Sequence, residues 1–161
     1  MTIDAKLNAL SHSRLAADLG EEECRVLAGL VTIQDLADAE VLVRQGTADS
    51  RLHVVVSGTL AILREGGTDG PVVVTTLGPG DLAGELGFVD GIERNSSLVA
   101  QGSTRVLCLE RTQLESLLAT QPVIVYHVMR AIIRIAHQIQ RRLAMQAVEL
   151  SNYVYKQHGR Y

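Results

Sequence analysis

The chain has 161 residues and a formal net charge of −3, with 47% hydrophobic and 20% charged residues. That is enough for one packed domain plus an appendage, too apolar for a disordered chain, and without the overall positive charge that draws a protein to nucleic acid. One Phe and no Trp leave Val, Leu, Ile and Ala to build the core, while Cys24 and Cys108, far apart and outside any CxxC or Cys/His cluster, argue against zinc or iron–sulfur centres and read as buried thiols.

Polar residues open the chain, and Leu15-Ala16-Ala17-Asp18-Leu19 before Gly20 predicts a short helix with a glycine stop. Glu21–Leu30 carries Cys24, Val26, Leu27 and Leu30 at helical spacing, with acids where the helix dipole favours them. Residues 1–36 are therefore expected to hold N-terminal helices. No basic segment precedes an apolar run, and no window of about 18 apolar residues occurs, so a soluble, cytoplasmic protein with no membrane partner is expected.

Between 37 and 111 the pattern turns to short Val-, Leu- and Thr-rich runs: Val41–Arg44, Leu52–Val56, Thr59–Arg64, Val72–Leu77, Ser96–Gln101 and Thr104–Glu110. Glycine or polar turns punctuate them at Gln45-Gly46, Ser57-Gly58, Gly66-Gly67, Gly78-Pro79-Gly80 and Gln101-Gly102. Regular spacing without a long intervening helix predicts an antiparallel β-barrel or jelly roll. The connection Gly80–Arg94 interrupts it, and a loop that long in an economical β domain is more often functional than idle.

Helical periodicity returns over 112–157, first in Thr112–Thr120 and then, with Pro122 at a first helical position, in one run to about Gln157. Such a helix spans roughly 50 Å, far more than the β domain needs. Met129, Ile132, Ala136, Ile139, Leu143, Gln146, Leu150 and Tyr153 alternate three and four apart, as a coiled-coil seam does. A homodimer through residues 129–153 is expected. The alternative, a helix lying across its own barrel, also holds for the first half, where Ile133 and Ile135 add a second apolar face. Residues 158–161 read as a frayed tail.

Within the loop, Gly84 lets the backbone approach a ligand with free amides, Glu85 can accept from a sugar hydroxyl, and Arg94, nine residues later, can pair with a phosphate. Taken singly, Glu85 is as compatible with a turn cap and Arg94 with a surface charge. The five histidines lack metal-ligand spacing, and no GxSxG elbow or Ser-His-Asp order stands out, so no catalysis, metal or cofactor is expected. Arg130, Arg134, Arg141 and Arg142 fit the solvated flank of the seam better than a nucleic-acid patch.

Helices, a glycine-punctuated β-roll, a Gly-Glu-Leu…Arg loop and a long closing helix, in that order, resemble the cyclic nucleotide-binding domain family. Gly46, Ser57-Gly58, Gly80-Asp81, Ala83-Gly84-Glu85-Leu86 and Arg94-Asn95-Ser96-Ser97 carry the resemblance. It implies a cupin-like jelly roll, mainly β with flanking helices, and a phosphate-binding cassette over 80–98. In that frame Glu85 holds the ribose 2′-hydroxyl, Arg94 holds the cyclic phosphate, and the amides of Gly84 and Glu85 flank the ligand.

Leu86, Asn95, Ser96 and Ser97 complete the expected ligand set. Ala83 departs from the family's Phe, and Asn95 and Ser96 from its usual small residues, with Ser96 or Ser97 offering a hydroxyl to the phosphate. Gln140-Arg141-Arg142-Leu143 is similar to the sensor half of catabolite-activator-type bacterial regulators, without their helix-turn-helix domain. Gln146 then stands near a purine-contacting position, although a polar register-setting residue in a coiled coil is the alternative for it.

The resemblance implies a non-enzymatic dimeric sensor of a 3′,5′-cyclic nucleotide, cAMP first, that signals through its long helix to an effector protein. Two further readings stay open: a degenerate domain serving as a dimerisation or docking platform, and the sensor half of a transcription regulator.

Overall fold

The computed structural model describes residues 1–158. Helix α1 (Ile3–Ser11) is capped by Thr2, whose hydroxyl accepts from the Ala5 amide, and a 3-10 helix, Arg14–Asp18, follows. Helix α2 spans Glu21–Leu30 as its periodicity predicts, its start closed by Glu23 accepting from the Gly20 amide at 2.8 Å. Two features of 1–36 depart from the expectation. The polar opening forms α1, because its cap and a buried Leu10 outweigh a weak apolar pattern, and Thr32–Leu36 is strand β1, paired antiparallel with residues 104–108.

The remaining strands are β2 (Val41–Val43), β3 (Arg51–Gly67), β4 (Gly70–Leu77), β5 (Leu82–Ala83) and β6 (Ser97–Glu110). All pairings are antiparallel, along the path β1-β6-β3-β4 with β2 on β6 and β5 on β3. The sheet coils without closing into a barrel: β4 pairs only with β3, and Val72, Val73 and Val74 on it stay half exposed.

Turns expected at Ser57-Gly58 and Gln101-Gly102 are bends inside the long strands β3 and β6, where the register slips around Ser57. Gly58 takes φ +80°, and a Cβ there would lie 2.4 Å from the Ser103 carbonyl oxygen, so this glycine marks a crossing of backbones rather than a chain reversal.

Alternation on the central strands divides the interior. Leu52, Val54, Leu107 and Leu109 join Leu10, Leu27, Phe88, Leu114, Val128 and Ile132 on the helical face; Val55, Val106 and Cys108 pack with Leu42, Val43, Leu60, Leu98 and Ala100 on the other. Cys24 and Cys108 are both buried free thiols.

Helix α4 is only Arg111–Glu115, shorter than the expected 112–120, while α5 (Pro122–His158) runs unbroken from its proline. Ile124, Val125, Val128, Ala131, Ile132 and Ile135 form the buried stripe of α5, and every residue from His137 to Lys156 is exposed. The seam expected from Met129 is therefore already used at its start: Ile132 is 1% exposed in the chain's own core, and of the pair Ile133 and Ile135 only Ile135 is buried. No helix among the described residues is long and apolar enough to cross a membrane. The tail expected at 158–161 lies, past His158, outside the described residues.

Candidate functional site

The segment expected as an irregular loop folds into strand β5 and a single short helix, α3 (Glu85–Asp90), bracketed by two glycines at positive φ, Gly84 (+81°) and Gly91 (+71°). Phe88, fully buried under α3, anchors it to the helical core. Gly80 is held by β3 through its amide to the Val55 carbonyl at 2.8 Å, and the Val55 amide donates to the Asp81 carbonyl at 3.0 Å. The cassette thus leaves the sheet from a fixed point and turns at Gly84 into α3, whose first amides lack intrahelical partners.

A cavity of about 370 Å³ opens between this helix and the sheet, within the range of small-ligand sites. Gly84, Glu85, Leu86, Arg94, Asn95 and Ser96 line it, so six of the eight expected residues share one space. Ser97 is not among the lining residues; its hydroxyl accepts from the Gln45 amide at 2.9 Å and fixes the preceding turn. Gln146 is exposed on α5 in a separate groove with Gln138, Arg141, Arg142, Met145 and Glu149, because the helix has left the body by that point. In the single chain Gln146 is not part of the site.

Arg94 is the best-fastened residue of the group. Its amide donates to the Thr47 carbonyl at 2.9 Å, and its carbonyl accepts from Gly46 at 2.7 Å. Its buried guanidinium donates to the carbonyls of Gly84 and Arg51, and one nitrogen lies 3.7 Å from Asp49. Burial pulls this guanidinium below its ordinary pKa while Asp49 opposes the shift. Its Nε, buried, has no hydrogen-bond partner among the described residues.

A Cβ on Gly84 would stand 2.7 Å from an Arg94 nitrogen and 3.0 Å from the Arg51 carbonyl oxygen. The bare α-carbon at Gly84 thus makes room for the guanidinium, while the same residue also lines the cavity. Burial raises the Glu85 carboxyl above the usual carboxylate value, with Arg94 and Arg14 pulling it back.

Other lining residues escaped sequence reasoning. Val43, Ile62 and Leu98, from three different strands, form an apolar wall opposite the charged pair. No linear spacing links them; only the sheet pairing of Ile62 with Leu98 and of Val43 with Leu98 does. Ile92 and Glu93, also on the lining, lay inside the segment already singled out and were visible in it. Asp49 and Arg51, which brace Arg94, carry no signal in the chain. Among the described residues, no group of His, Cys, Asp and Glu is placed to hold a metal ion.

A family model described as "Cyclic nucleotide-binding domain" matches residues 33–121. The chain belongs to the cyclic nucleotide-binding domain family. It is 32% identical over 108 residues to the "Cyclic AMP receptor protein" of Thermus thermophilus, covering 66% of this chain and 46% of that protein. It is 27% identical over 110 residues to the "CRP-like cAMP-activated global transcriptional regulator" of Mycobacterium tuberculosis, covering 68% and 49%. The chain thus spans about half the length of the curated relatives it matches.

The crystal structure of a cyclic nucleotide-binding domain from Methylobacillus flagellatus matches with a TM-score of 0.79 at 22% identity, over 91% of this chain and 83% of that one. This likeness speaks for the fold, sheet and long C-terminal helix included.

Proposed function

We propose that this cyclic nucleotide-binding domain is a non-enzymatic regulatory sensor that takes a 3′,5′-cyclic nucleotide, cAMP first, into the cavity under α3. The observation that carries the reading is the lining: the Arg94 guanidinium, the carboxylates of Glu85, Asp90 and Glu93, and an apolar wall share a single space of about 370 Å³. Glu85 accepts from the ribose 2′-hydroxyl, Arg94 neutralises the cyclic phosphate, and the amides at Gly84 and Glu85 flank it. Ser96 adds a hydroxyl, Leu86 and Asn95 border the ligand, and Val43, Ile62 and Leu98 pack on its apolar surface. Ser97 supports from behind through Gln45. Gln146 reaches the base only if a second chain or a shifted helix carries it there.

The sensor works as a homodimer through the free half of α5 and passes its signal to an effector protein. The names of two relatives, both of which refer to cAMP, support the ligand assignment. One observation favours a second reading, a degenerate domain kept as a docking platform: each terminal nitrogen of Arg94 already donates to a backbone carbonyl, of Gly84 or of Arg51, so an anion must use the remaining N–H groups or compete for these.

Titration calorimetry with cAMP and cGMP separates the two. The sensor gives saturable binding that weakens roughly tenfold or more in Glu85→Gln, a variant that removes only a charge-assisted hydrogen bond. Because the ionised carboxylate accepts the hydroxyl more strongly than the protonated acid does, affinity falls as pH drops through the raised pKa of Glu85. No heat at millimolar ligand overturns the reading and leaves the platform.

A further inference from the structure

We propose that Arg14 is a positioning residue that ties the start of the cassette to the point where α5 leaves the body, so that each senses the state of the other. The inference rests on the nucleotide-sensor reading for its signal, though not for its geometry. Arg14 lies in the 3-10 helix, outside both the cassette and α5, and touches both.

Its amide donates to the Gly80 carbonyl at 2.9 Å, one guanidinium nitrogen lies 3.7 Å from Asp81, and the other donates to the side-chain carbonyl of Gln138. The contact at Gly80 is close: this residue takes φ +88°, and a Cβ on it would sit 3.2 Å from the His12 carbonyl oxygen. Moving the cassette away from the 3-10 helix therefore breaks this backbone hydrogen bond.

The same short helix grips α5 a second time. Asp18, at its other end, lies 3.1 Å from Arg134 and 3.7 Å from Arg130, with its carboxylate mostly buried. Positions 130, 134 and 138 fall at i, i+4 and i+8, one face of the helix. Ile135 is the last residue of α5 seen buried among the described residues and every residue from His137 to Lys156 is exposed, so Gln138 stands where the helix begins to be free. A single exposed ion pair contributes little. Here three contacts from one residue join two elements that hold different jobs, and a ligand that displaces the cassette changes the hold on α5 by differential affinity for the two arrangements.

The test uses hydrogen exchange on the full chain, followed in segments 80–84 and 136–142, for wild type, Gln138→Ala, Arg14→Ala and the double variant. Without nucleotide, Gln138→Ala is expected to speed exchange in 80–84 by about threefold although it sits on α5, and the double variant is expected to be no faster than Arg14→Ala alone. With saturating cAMP, wild type changes its exchange in 136–142, and Arg14→Ala binds but loses that change.

Unchanged exchange at 80–84 in Gln138→Ala, or strictly additive effects, overturns the proposal and leaves Arg14 as a local pin. If Arg14→Ala fails to fold, Gln138→Ala at an exposed position against Asp81→Asn, which keeps an acceptor for the Gly78 amide, decides the same question. Should wild type bind no nucleotide, the sensor reading falls, while the ligand-free arm still decides the tie.

Discussion

A methyl group added at Gly46 and one added at Gly58 meet opposite surroundings. Both residues sit at positive φ, +82° and +80°, yet nothing lies within 4 Å of a Cβ at Gly46, whereas one at Gly58 would be 2.4 Å from the Ser103 carbonyl oxygen and 2.7 Å from the Thr104 Cα. Gly46→Ala pays only the left-handed backbone term, about 1 kcal/mol. Gly58→Ala must also push apart two strands locked by the Thr104 hydroxyl, which accepts from the Thr59 amide and donates to its carbonyl. Its expected cost is about 3 kcal/mol or more. Urea unfolding of the two variants checks the ranking, and equal midpoints would contradict it. In the sequence the two glycines look alike, each beside a polar residue and between apolar runs.

Helix α5 changes character along its length. Its first half is core: Ile132→Ala leaves a cavity in a site 1% exposed and is expected to cost about 2–4 kcal/mol in the single chain. Its second half leaves Ile139, Leu143 and Leu150 exposed at 44%, 59% and 65%, four and then seven residues apart, with nothing among the described residues to cover them. Burying that stripe against a second copy is the physical reason for expecting a dimer. Sedimentation velocity of wild type against Leu143→Asp and Leu150→Asp tests this: a dimer for wild type and monomers of unchanged circular dichroism for the variants. A monomeric wild-type chain would remove the dimer from the proposed function.

For the whole molecule, the two sides of the sheet carry two kinds of interior. One is apolar and joins the helices; the other contains His53, fully buried, bonded through Nδ1 to the Cys108 sulfur at 3.3 Å, with its Nε2 left without a partner among the described residues. Burial, and then the Arg51 charge, push the imidazole pKa down to about 3. An unfolded histidine titrates near 6.5, so between those values the unfolded chain holds more protons and the native state loses stability as pH falls. The full contribution is on the order of a few kcal/mol, present above the unfolded value and gone near the folded one. Urea midpoints at about pH 7 and about pH 4.5 should converge in His53→Leu relative to wild type; an unchanged gap would assign the acid sensitivity to other groups.

Local chemistry was enough to read α2, the proline start and great length of α5, the antiparallel strand runs and the glycine-bounded cassette with Glu85 and Arg94. Each of these rests on periodicity, capping or conformational freedom within a few residues of chain. Whether Ser57-Gly58 and Gln101-Gly102 reverse the chain or merely bend it, whether Ile132 is buried in the chain's own core, and which side chain stands beside the Gly84 α-carbon were settled by tertiary structure. In every such case the deciding atom comes from far along the chain: Ser103 against Gly58, the α1–α2 core against Ile132, Arg51 and Arg94 against Gly84. Spacing in sequence reports which conformations a residue tolerates, and only the packed fold determines what occupies the room beside it.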